Sequence, residues 1–442
     1  MNKLFILSLI IFIVLLIISV ICFKKLITFD INNFVDNFFH SSNIIFIPQT
    51  IIKEKGNDTC LLKENLDSNF VCHKPTTITI NNKEIQLYTN ESYKDNIVDE
   101  SILHDLLQPV NYYKNIKGKN IRSILTNQLG VFFGIDKKII DFIAETNETL
   151  HNASLVVDDI QDNSLTRRQH PCSHIVYGIP YSIGAAYLQL FKYLFDMTNI
   201  DNIVQNIDYS IFKEHEQYKN LDIETIKIMK KNEIMRITIE NIYKVHIGQE
   251  LDVYWAYKHY IPSIDEYKKM VQYKTGILFI NNLDYLHCIT PNIVNELYNE
   301  YYDKLMMLSL FFQIRDDYIN ITDIEYWKIK GFCEDFDEKK NSYVIIKYMN
   351  NENVCDDEKE SFNELFYKRN LTNDEKIILL NKINKTDVFE TIFNELDEYK
   401  KKISENIIFN VIFDLLPYKK FELDTSLEKY NDYIENNVHI TE

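Results

Sequence analysis

Two short segments rich in aspartate could bind divalent metal ions. Asp158, Asp159 and Asp162 lie in the first segment, and Asp316 and Asp317 lie in the second. The four-residue spacing of Asp158 and Asp162 places both carboxylates on one face of a helix. Carboxylates packed this closely repel each other unless a cation lies between them. Hard oxygen ligands select Mg²⁺, whose coordination is usually completed by substrate phosphates. Both segments therefore predict a magnesium site for a phosphorylated ligand.

Cations follow each aspartate-rich segment in the sequence. Arg167 and Arg168 come soon after the first segment, and Lys330 and Lys340 come after the second. An acidic helix face is ordinarily just solvated surface. Each of these segments, however, continues a strongly apolar helix face, so its carboxylates emerge from a core. Carboxylates and cations at both ends of a helical core are suited to a metal-bridged polyphosphate ligand.

Long helices are needed to hold the two segments. Asp136 can cap a helix whose apolar residues recur in steps of three and four up to Val157, directly before the first aspartates. A second helix is predicted over about 299–323, around the second segment. The polar stretch 196–235 is interpreted as an insertion or a loose helical pair. The 9 glycines and 8 prolines among 442 residues are too few for the turns of an all-β fold, so we expect an all-α protein.

The overall charge and the cysteines exclude several classes of protein. With 48 Lys and Arg against 65 Asp and Glu, the net charge of −17 disfavours a general nucleic-acid binder, and we expect no nucleic-acid partner. The seven cysteines include no C-x-x-C pair. A disulfide framework or a zinc site is therefore not predicted, and a reducing compartment is expected.

An apolar stretch lies near the start of the sequence. Residues 4–23 contain no charged side chain, and twenty such residues are enough for one membrane-spanning helix. A cleaved signal peptide is the alternative, but no small-x-small cleavage pattern follows the stretch. Lys24 and Lys25 come directly after it, and the positive-inside rule then places the following residues in the cytosol. We expect a membrane-anchored, single-pass protein.

Three regions follow from these patterns. Residues 1–23 are predicted to form the transmembrane anchor, 24–98 a stalk or small N-terminal extension, and 99–442 the catalytic helical domain. Within the extension, the β-rich segments 76–80 and 84–88 predict either a small hairpin or a linker with little fixed structure.

Six motifs in the helical region follow one another in an order typical of one enzyme family. They are GKNIR (118–122), HNASLVVDDIQDNSLTRRQHPCSHIVYGIP (151–180), GQELDVYW (248–255), YKTGILF (273–279), FFQIRDDYIN (311–320) and GFCEDFDEKKNSY (331–343). Together they resemble the trans-prenyl diphosphate synthases, most closely the eukaryotic-type geranylgeranyl diphosphate synthases. The resemblance extends over roughly residues 99–400.

The resemblance implies a fold and a reaction. The fold is a prenyl-synthase-like, all-α helical bundle around a central cavity, with the two aspartate-rich segments facing each other across it. The reaction is the Mg²⁺-dependent, head-to-tail condensation of isopentenyl diphosphate with an allylic diphosphate, for which farnesyl diphosphate is expected. The product would be geranylgeranyl diphosphate or a longer prenyl diphosphate. The resemblance also implies a homo-oligomer, either a dimer or a larger assembly.

The resemblance further assigns roles to individual residues. It implies that Mg²⁺ ions, three per active site, are held by Asp158, Asp159, Asp162, Asp316 and Asp317. The allylic diphosphate would be bound by Arg167, Lys274, Lys330 and Lys340. The expected catalytic residues along the path of the developing carbocation are Lys274, Thr275 and Gln313. Isopentenyl diphosphate would be bound by Gly118, Lys119, Arg122, His151 and Arg168.

Three positions depart from the pattern of the family. Asn320 stands where many relatives have a third aspartate, and its amide oxygen is a neutral, weaker metal ligand. Gln169 and Lys339 stand where relatives often have glycine. Since glycine alone adopts positive φ without steric cost, these two substitutions are expected to change the flexibility of the loops that close the site.

The length of the product depends on the wall of the cavity below the first aspartates. Ala153 and Ser154 precede Asp158 by five and four residues, which places them about one helical turn below the metal. Short-chain family members have aromatic rings there as a floor. The small side chains of Ala153 and Ser154 leave the path open and predict a C20 or longer product. The alternative is that Tyr187 or Leu188, on a neighbouring helix, sets the limit.

Two other functions remain open from the sequence. A terpene cyclase could have the same fold, but a cyclase does not need the isopentenyl diphosphate site that GKNIR and Arg168 predict. A non-catalytic, prenyl-synthase-like regulatory subunit would be expected to have lost aspartates, whereas the first segment here is complete.

Overall fold

A computed structural model gives the coordinates of most of the chain. It describes residues 76–80, 83–87, 100–116, 118–198, 207–290 and 293–437. Within these ranges, no helix is both long enough and apolar enough to cross a membrane. The anchor predicted over 4–23 lies outside the described residues.

The contacts divide the chain into two compact units, Met1–Ile97 and Val98–Glu442. In the first unit, strand β1 (Thr76–Ile80) pairs with β2 (Lys83–Leu87) as an antiparallel hairpin, with Ile78 opposite Ile85. Of the two alternatives predicted for the extension, the β-rich segments therefore form the small hairpin. Strand β2 begins one residue earlier than the sequence pattern indicated.

The second unit is almost entirely helical where it is described, as the scarcity of glycine and proline predicted. Its first helices are α1 (Glu100–Leu106), α2 (Gln108–Asn115), α3 (Ile121–Phe132), α4 (Lys137–Gln161), α5 (Ser173–Tyr177), α6 (Ile179–Thr198), α7 (Ile223–Lys258), α8 (Ile264–Val271) and α9 (Ile277–Ile289). They are followed by α10 (Asn295–Thr322), α11 (Ile324–Lys330), α12 (Glu334–Asp337), α13 (Tyr343–Met349), α14 (Asp356–Phe366), α15 (Asn373–Asn384), α16 (Val388–Ser404), α17 (Asn410–Phe413) and α18 (Leu423–Asn437). The remaining short elements are a strand pair, β3 (Thr166–Arg167) and β4 (His170–Pro171), and 3₁₀ turns at Tyr209–Glu214 and Ile407–Phe409.

Helix α9 lies at the centre of the bundle. Its residues are buried on nearly all sides, and it packs against α3, α4, α7 and α10. A mostly apolar helix is expected in such a position, and its buried Asn281 and Asn282 are hydrogen-bonded. The two helices that carry the aspartate-rich segments, α4 and α10, thus flank one common core element.

Helix α4 begins where the sequence predicted. The Asp136 carboxylate accepts a hydrogen bond of 2.8 Å from the main-chain N–H of Lys138 and caps the helix. Ile139, Ile143 and other apolar residues of the predicted face are buried. The helix ends at Gln161, so the first aspartates occupy its last turn. Helix α10 likewise covers the second segment, as predicted.

The interpretation of 196–235 as a loose helical pair is wrong for its last third. Residues 223–235 are the start of α7, a single helix of 36 residues. Charges that suggested an insertion pair with each other along this helix, as Glu224 and Lys227 do at a spacing of three residues. Ile226 and Ile234 of the same helix are buried.

A π-helical turn, Gln272–Gly276, joins α8 to α9 without a break. Such turns are frequent at functional sites, and this one carries Lys274 and Thr275. Gly248 of α7 lies directly against it, because a Cβ atom at this position would overlap the main-chain nitrogen of Lys274. The missing side chain lets α7 approach closely enough for Lys274 to reach the end of α4.

Both residues that replace a family glycine have a left-handed main-chain conformation. Gln169 has φ of 67° and Lys339 has φ of 57°. Arg168 and Gln169 form the two-residue turn between β3 and β4, and Arg168 has φ of 53°. Two consecutive positive φ values are characteristic of a type I′ hairpin turn. Gln169 and Lys339 thus have a conformation that glycine adopts without steric cost. Their effect on the loops that close the site stays a prediction.

Replacing Lys339 with glycine is expected to raise the free energy of unfolding by about 1 kcal/mol, since the left-handed conformation costs other residues more than it costs glycine. The lysine also has a half-buried ammonium group that makes no hydrogen bond to the described residues. Burial lowers the pKa of Lys339 to about 8. Urea denaturation at pH 7 measures the change, with Lys339→Ala as the control for loss of the side chain alone. An equal gain in both variants would contradict the role of the backbone.

Candidate active site

A cavity of about 810 Å³ lies within the helical bundle. Its upper part is lined by charged side chains from the ends of α4 and α10 and from the neighbouring loops, and its lower part by apolar side chains. Of the five aspartates predicted to bind metal, Asp158, Asp162 and Asp316 line the cavity. Asp159 and Asp317 are completely buried beside it.

Asp158 is surrounded by cations. Its carboxylate lies 3.2 Å from Arg167 Nη2 and 3.4 Å from Lys274 Nζ, and it accepts a hydrogen bond of 3.1 Å from Gln249. Burial opposes its ionisation, but the charges of Lys274 and Arg167 outweigh burial and hold the pKa of Asp158 well below its usual value. Asp158 is therefore a permanent anion at the rim of the cavity.

The surroundings of Asp162 disfavour the negative charge of its carboxylate. Burial, followed by the charge of Asp158, raises the pKa of Asp162 to about 7. No described residue donates a hydrogen bond to the Asp162 carboxylate, so its charge is poorly compensated by the protein. Asp158 and Asp162 would together hold a divalent cation, whose charge would supply that compensation.

The chemistry of these donors fits Mg²⁺. Carboxylate oxygens are its preferred ligands, and it commonly binds through one or two of them with waters and substrate phosphates. Within the described part of the chain, no group of three or more acidic, histidine or cysteine side chains is close enough to hold an ion by itself. Asp158, Asp162 and, across the cavity, Asp316 would thus hold Mg²⁺ together with a diphosphate.

Asp159 is held in a network instead of facing the cavity. It accepts hydrogen bonds of 2.8 and 2.9 Å from Arg167 Nε and further bonds from Arg167 Nη2 and the Tyr113 hydroxyl. Arg167 thereby spans both Asp158 and Asp159 and fixes the end of α4 against the β3–β4 hairpin. The role of Asp159 as a metal ligand stays a prediction.

Asp317 is also held by donors from several elements. It accepts hydrogen bonds of 2.6 Å from the Tyr267 hydroxyl, 3.0 Å from Gln313 Nε2 and 2.8 Å from the main-chain N–H of Tyr343. Lys340 Nζ lies 3.3 Å away. The carboxylate connects α8, α10 and the start of α13, and its role as a metal ligand stays a prediction as well.

The cations predicted to bind the allylic diphosphate all line the cavity. Lys274 pairs with Asp252 at 2.8 Å, and Lys330 pairs with Glu334 at 3.3 Å. Thr275 donates a hydrogen bond of 3.0 Å to the Gln313 side-chain oxygen, whose amide nitrogen in turn donates to Asp317. This chain of bonds orients the Gln313 oxygen and the Thr275 hydroxyl next to each other at the cavity wall.

A second, more basic group of residues lines the cavity beside the first. Arg122 Nη1 donates a hydrogen bond of 2.9 Å to His151 Nε2. The histidine is neutral, because burial and the nearby charge of Arg122 lower the pKa of His151 well below its usual value. Since Nε2 accepts, the ring proton is on Nδ1, a buried atom without a hydrogen-bond partner among the described residues.

The positive charges in this basic group repel one another, and binding of an anion would relieve that repulsion. Burial, and the proximity of Arg168, lower the pKa of Arg122 to about 10. Burial and Arg315 lower the pKa of Lys119 in the same way. Arg168 donates to the Ile116 carbonyl at 2.8 Å and lies so close to Gly118 that a Cβ atom there would come within 2.6 Å of its guanidinium carbon. The five residues predicted to bind isopentenyl diphosphate are therefore brought together.

Some residues of the site were missed by the sequence analysis. Gln249 and Asp252 contact Asp158 and Lys274, and both lie in the GQELDVYW motif, which was the available signal. Arg315 directly precedes Asp316, pairs with it at 2.9 Å and also lines the cavity. Asp335 lies 4.0 Å from Lys340, and burial followed by the charge of Asp317 raises the pKa of Asp335 to about 7.

The positions predicted to control product length line the lower cavity. Ala153 is buried, and Ser154 donates a hydrogen bond of 2.8 Å to the His151 carbonyl. Tyr187 and Leu190 of α6 face the same space. No aromatic side chain projects from α4 at this level, so the apolar path continues towards the centre of the bundle.

The fold and the site together define a helical protein whose cavity is lined by charged side chains at one end and by apolar side chains at the other. Comparison with known sequences agrees with this class. A sequence profile of the polyprenyl synthetase family matches residues 104–383, which is more than half of the chain. The chain therefore belongs to the polyprenyl synthetase family, and the resemblance found in the sequence is confirmed.

The relatives include proteins named geranylgeranyl pyrophosphate synthase and proteins named terpene synthase. A geranylgeranyl pyrophosphate synthase from Clitopilus passeckerianus is 30% identical over 60% of this chain and 69% of its own. A terpene synthase from Matsumurasca onukii is 33% identical over 58% of this chain and 73% of its own. A bifunctional sesterterpene synthase from Talaromyces wortmannii is 32% identical over 54% of this chain. The match spans only 28% of that longer relative.

Proposed function

We propose that the protein is a Mg²⁺-dependent prenyltransferase that condenses isopentenyl diphosphate with an allylic diphosphate to form geranylgeranyl diphosphate or a longer product. The observation that carries the proposal is the presence of two separate cationic groups above one apolar path. One group lies among the cavity-facing aspartates. The other combines Lys119, Arg122 and Arg168 with the neutral His151, and Glu148 is a carboxylate close to it. Two diphosphates of different kinds fit these two groups.

The first step of the proposed reaction is ionisation of the allylic carbon–oxygen bond. The electron pair leaves with the diphosphate, and bound Mg²⁺ would supply charge stabilisation to the leaving group. Arg167, Lys274 and Lys340 add fixed positive charge around it. The Gln313 oxygen, oriented by Thr275, directs its negative end towards the allylic cation.

The second step joins the two substrates. The double bond of isopentenyl diphosphate attacks the cationic carbon and forms the new carbon–carbon bond. The adduct then loses a proton from the adjacent carbon, and the departing diphosphate accepts it. Lys119, Arg122 and Arg168 hold the second substrate by its diphosphate, while the apolar lower cavity keeps water away from the cation.

The direct test is an assay of the full-length chain with labelled isopentenyl diphosphate and dimethylallyl, geranyl or farnesyl diphosphate in turn. A labelled prenyl diphosphate is expected with Mg²⁺ and none after chelation with EDTA. Absence of product with all three allylic substrates would overturn the proposal and support a non-catalytic subunit.

A terpene cyclase is the second candidate, because relatives include proteins named terpene synthases. A cyclase would release a hydrocarbon from an allylic diphosphate without taking up isopentenyl diphosphate. Analysis of volatile products in the same assay separates the two activities. The basic group around Arg122 and His151 favours condensation, since cyclisation leaves it without a ligand.

We also propose that the protein is a homo-oligomer and that residues 4–23 anchor it to a membrane with the catalytic domain on the cytosolic side. Phe191 and Phe195 are exposed aromatic side chains at four-residue spacing on α6, which supports association. Sedimentation in detergent tests the assembly, and a monomer would oppose it. Extraction by alkaline carbonate tests the anchor, and complete release from membranes would oppose it.

A further inference from the structure

A layer of buried polar side chains lies beneath the apolar part of the cavity. One member comes from each of four helices, α4, α6, α7 and α9, and each is at most 5% exposed. The four residues, here called the polar floor, are Asn147, Tyr193, Asn241 and Asn281. None of them lines the cavity itself, so the apolar wall ends above them.

The position of the polar floor follows from helical spacing. Each member lies three or four residues deeper along its helix than an apolar residue that lines the cavity. The corresponding pairs are Leu150 and Asn147 on α4, Leu190 and Tyr193 on α6, Val245 and Asn241 on α7, and Leu278 and Asn281 on α9. All four walls of the cavity therefore change from apolar to polar at the same depth.

Hydrogen bonds join these side chains across the bundle. The Asn281 amide donates to the Asn147 oxygen at 2.8 Å, and the Asn241 amide donates to the Asn281 oxygen at 3.0 Å. Asn147 donates in turn to Asn282. The Tyr193 hydroxyl bonds to that of Tyr285 at 2.8 Å. The layer thus ties α4, α7 and α9 together and satisfies its own polar groups.

We propose that the polar floor ends the hydrocarbon path and sets the upper limit of product length. The proposal rests on the proposed prenyltransferase function and places the limit deeper than Ala153 and Ser154. A growing prenyl chain cannot replace the hydrogen bonds that it would break on entering this layer. The buried amides would lose their partners without gaining new ones, so elongation becomes unfavourable there.

The depth of the floor agrees with a product near C20. Asn147 precedes Asp158 by 11 residues, which corresponds to about 16 Å, or three turns, along α4. One helical turn of about 5.4 Å is close to the length of an extended five-carbon unit. The path below the aspartates therefore has room for about three such units before the floor, which is the length of a farnesyl chain. One condensation with isopentenyl diphosphate then adds the fourth unit of a C20 product.

The test is the product distribution of an Asn147→Ala/Asn281→Ala double variant of the full-length chain, assayed with farnesyl and isopentenyl diphosphates. The double variant removes both side-chain amides of the Asn281–Asn147 hydrogen bond. This opens space at the end of the hydrocarbon path. We expect products to lengthen by at least one five-carbon unit relative to the wild type. The single variant Asn147→Ser, a smaller change, should shift the distribution in the same direction if the double variant does not fold.

Tyr285→Phe is the matched control, since it removes one hydroxyl from the same network one turn deeper while keeping the ring. Unchanged product length in this variant is expected. Equal lengthening in Tyr285→Phe would attribute the effect to loosened helices and overturn the proposal, as would wild-type product lengths in active Asn147 variants. A wild-type chain without any prenyl product would refute the proposed function, and the role of the floor with it.

Discussion

Replacing Asp162 with asparagine is expected to lower the rate of prenyl transfer by about 10²- to 10³-fold while making the metal-free protein more stable. The loss of activity is expected because the variant lacks a negative charge that is proposed to help hold Mg²⁺ at the rim of the cavity. The gain in stability follows from the repulsion that Asp162 experiences. Burial and the charge of Asp158 raise its pKa to about 7, so its ionised form is unfavourable in the folded state.

The pH dependence of this effect has a definite sign. A carboxyl group whose pKa rises on folding contributes stability below its unfolded pKa of 3.8, and this contribution disappears as the pH rises through about 7. The free energies of unfolding of wild type and Asp162→Asn should thus differ by up to about 4 kcal/mol in favour of the variant at pH 8 and converge near pH 4.

Urea denaturation in EDTA measures this difference, and turnover is measured with saturating Mg²⁺. Asp141→Asn is the matched control, because Asp141 lies on the same helix, is exposed and pairs with Lys137. It should change neither quantity. Full activity of Asp162→Asn would show that this carboxylate is not required for metal binding. Lower stability at pH 8 would contradict the repulsion inferred from the structure.

Replacing Asp317 with asparagine is expected to lower the free energy of unfolding by about 3 kcal/mol. Asp317 is completely buried and accepts from two donors at each carboxylate oxygen. An amide has only one acceptor oxygen, so its NH₂ group must face donors in either orientation. The charge of Lys340 would also lose its nearest partner.

Chemical denaturation with Asp303→Asn as the control tests this prediction, since Asp303 is an exposed aspartate on the same helix, α10. Activity should fall in Asp317→Asn as well, because Gln313 and Lys340 depend on Asp317 for their positions. A loss of stability below about 1 kcal/mol would contradict the role of Asp317 as a buried acceptor. The structure predicts opposite changes in stability for Asp162→Asn and Asp317→Asn.

Much of the site could be predicted from the sequence because its motifs are local. The four-residue spacing of Asp158 and Asp162, on a helix capped by Asp136, is enough to place both carboxylates on one face. The requirement for positive φ at Gln169 and Lys339 was also visible, since the family has glycine there. In contrast, the start of α7 was misread, because charges on the outer side of a long helix have the same composition as those of an insertion.

The sequence by itself determined the class of fold and the chemistry of the cavity. The scarcity of glycine and proline, the helical periodicity and the ordered motifs are properties of short stretches of chain. Only the tertiary structure decided which of two neighbouring aspartates faces the cavity and which is buried beside it. Consecutive residues of a helix point about 100° apart, so Asp158 and Asp159 cannot both face the cavity, and packing selects which one does. The polar floor was likewise decided by packing, since its members come from four helices far apart in sequence and meet only when the bundle assembles.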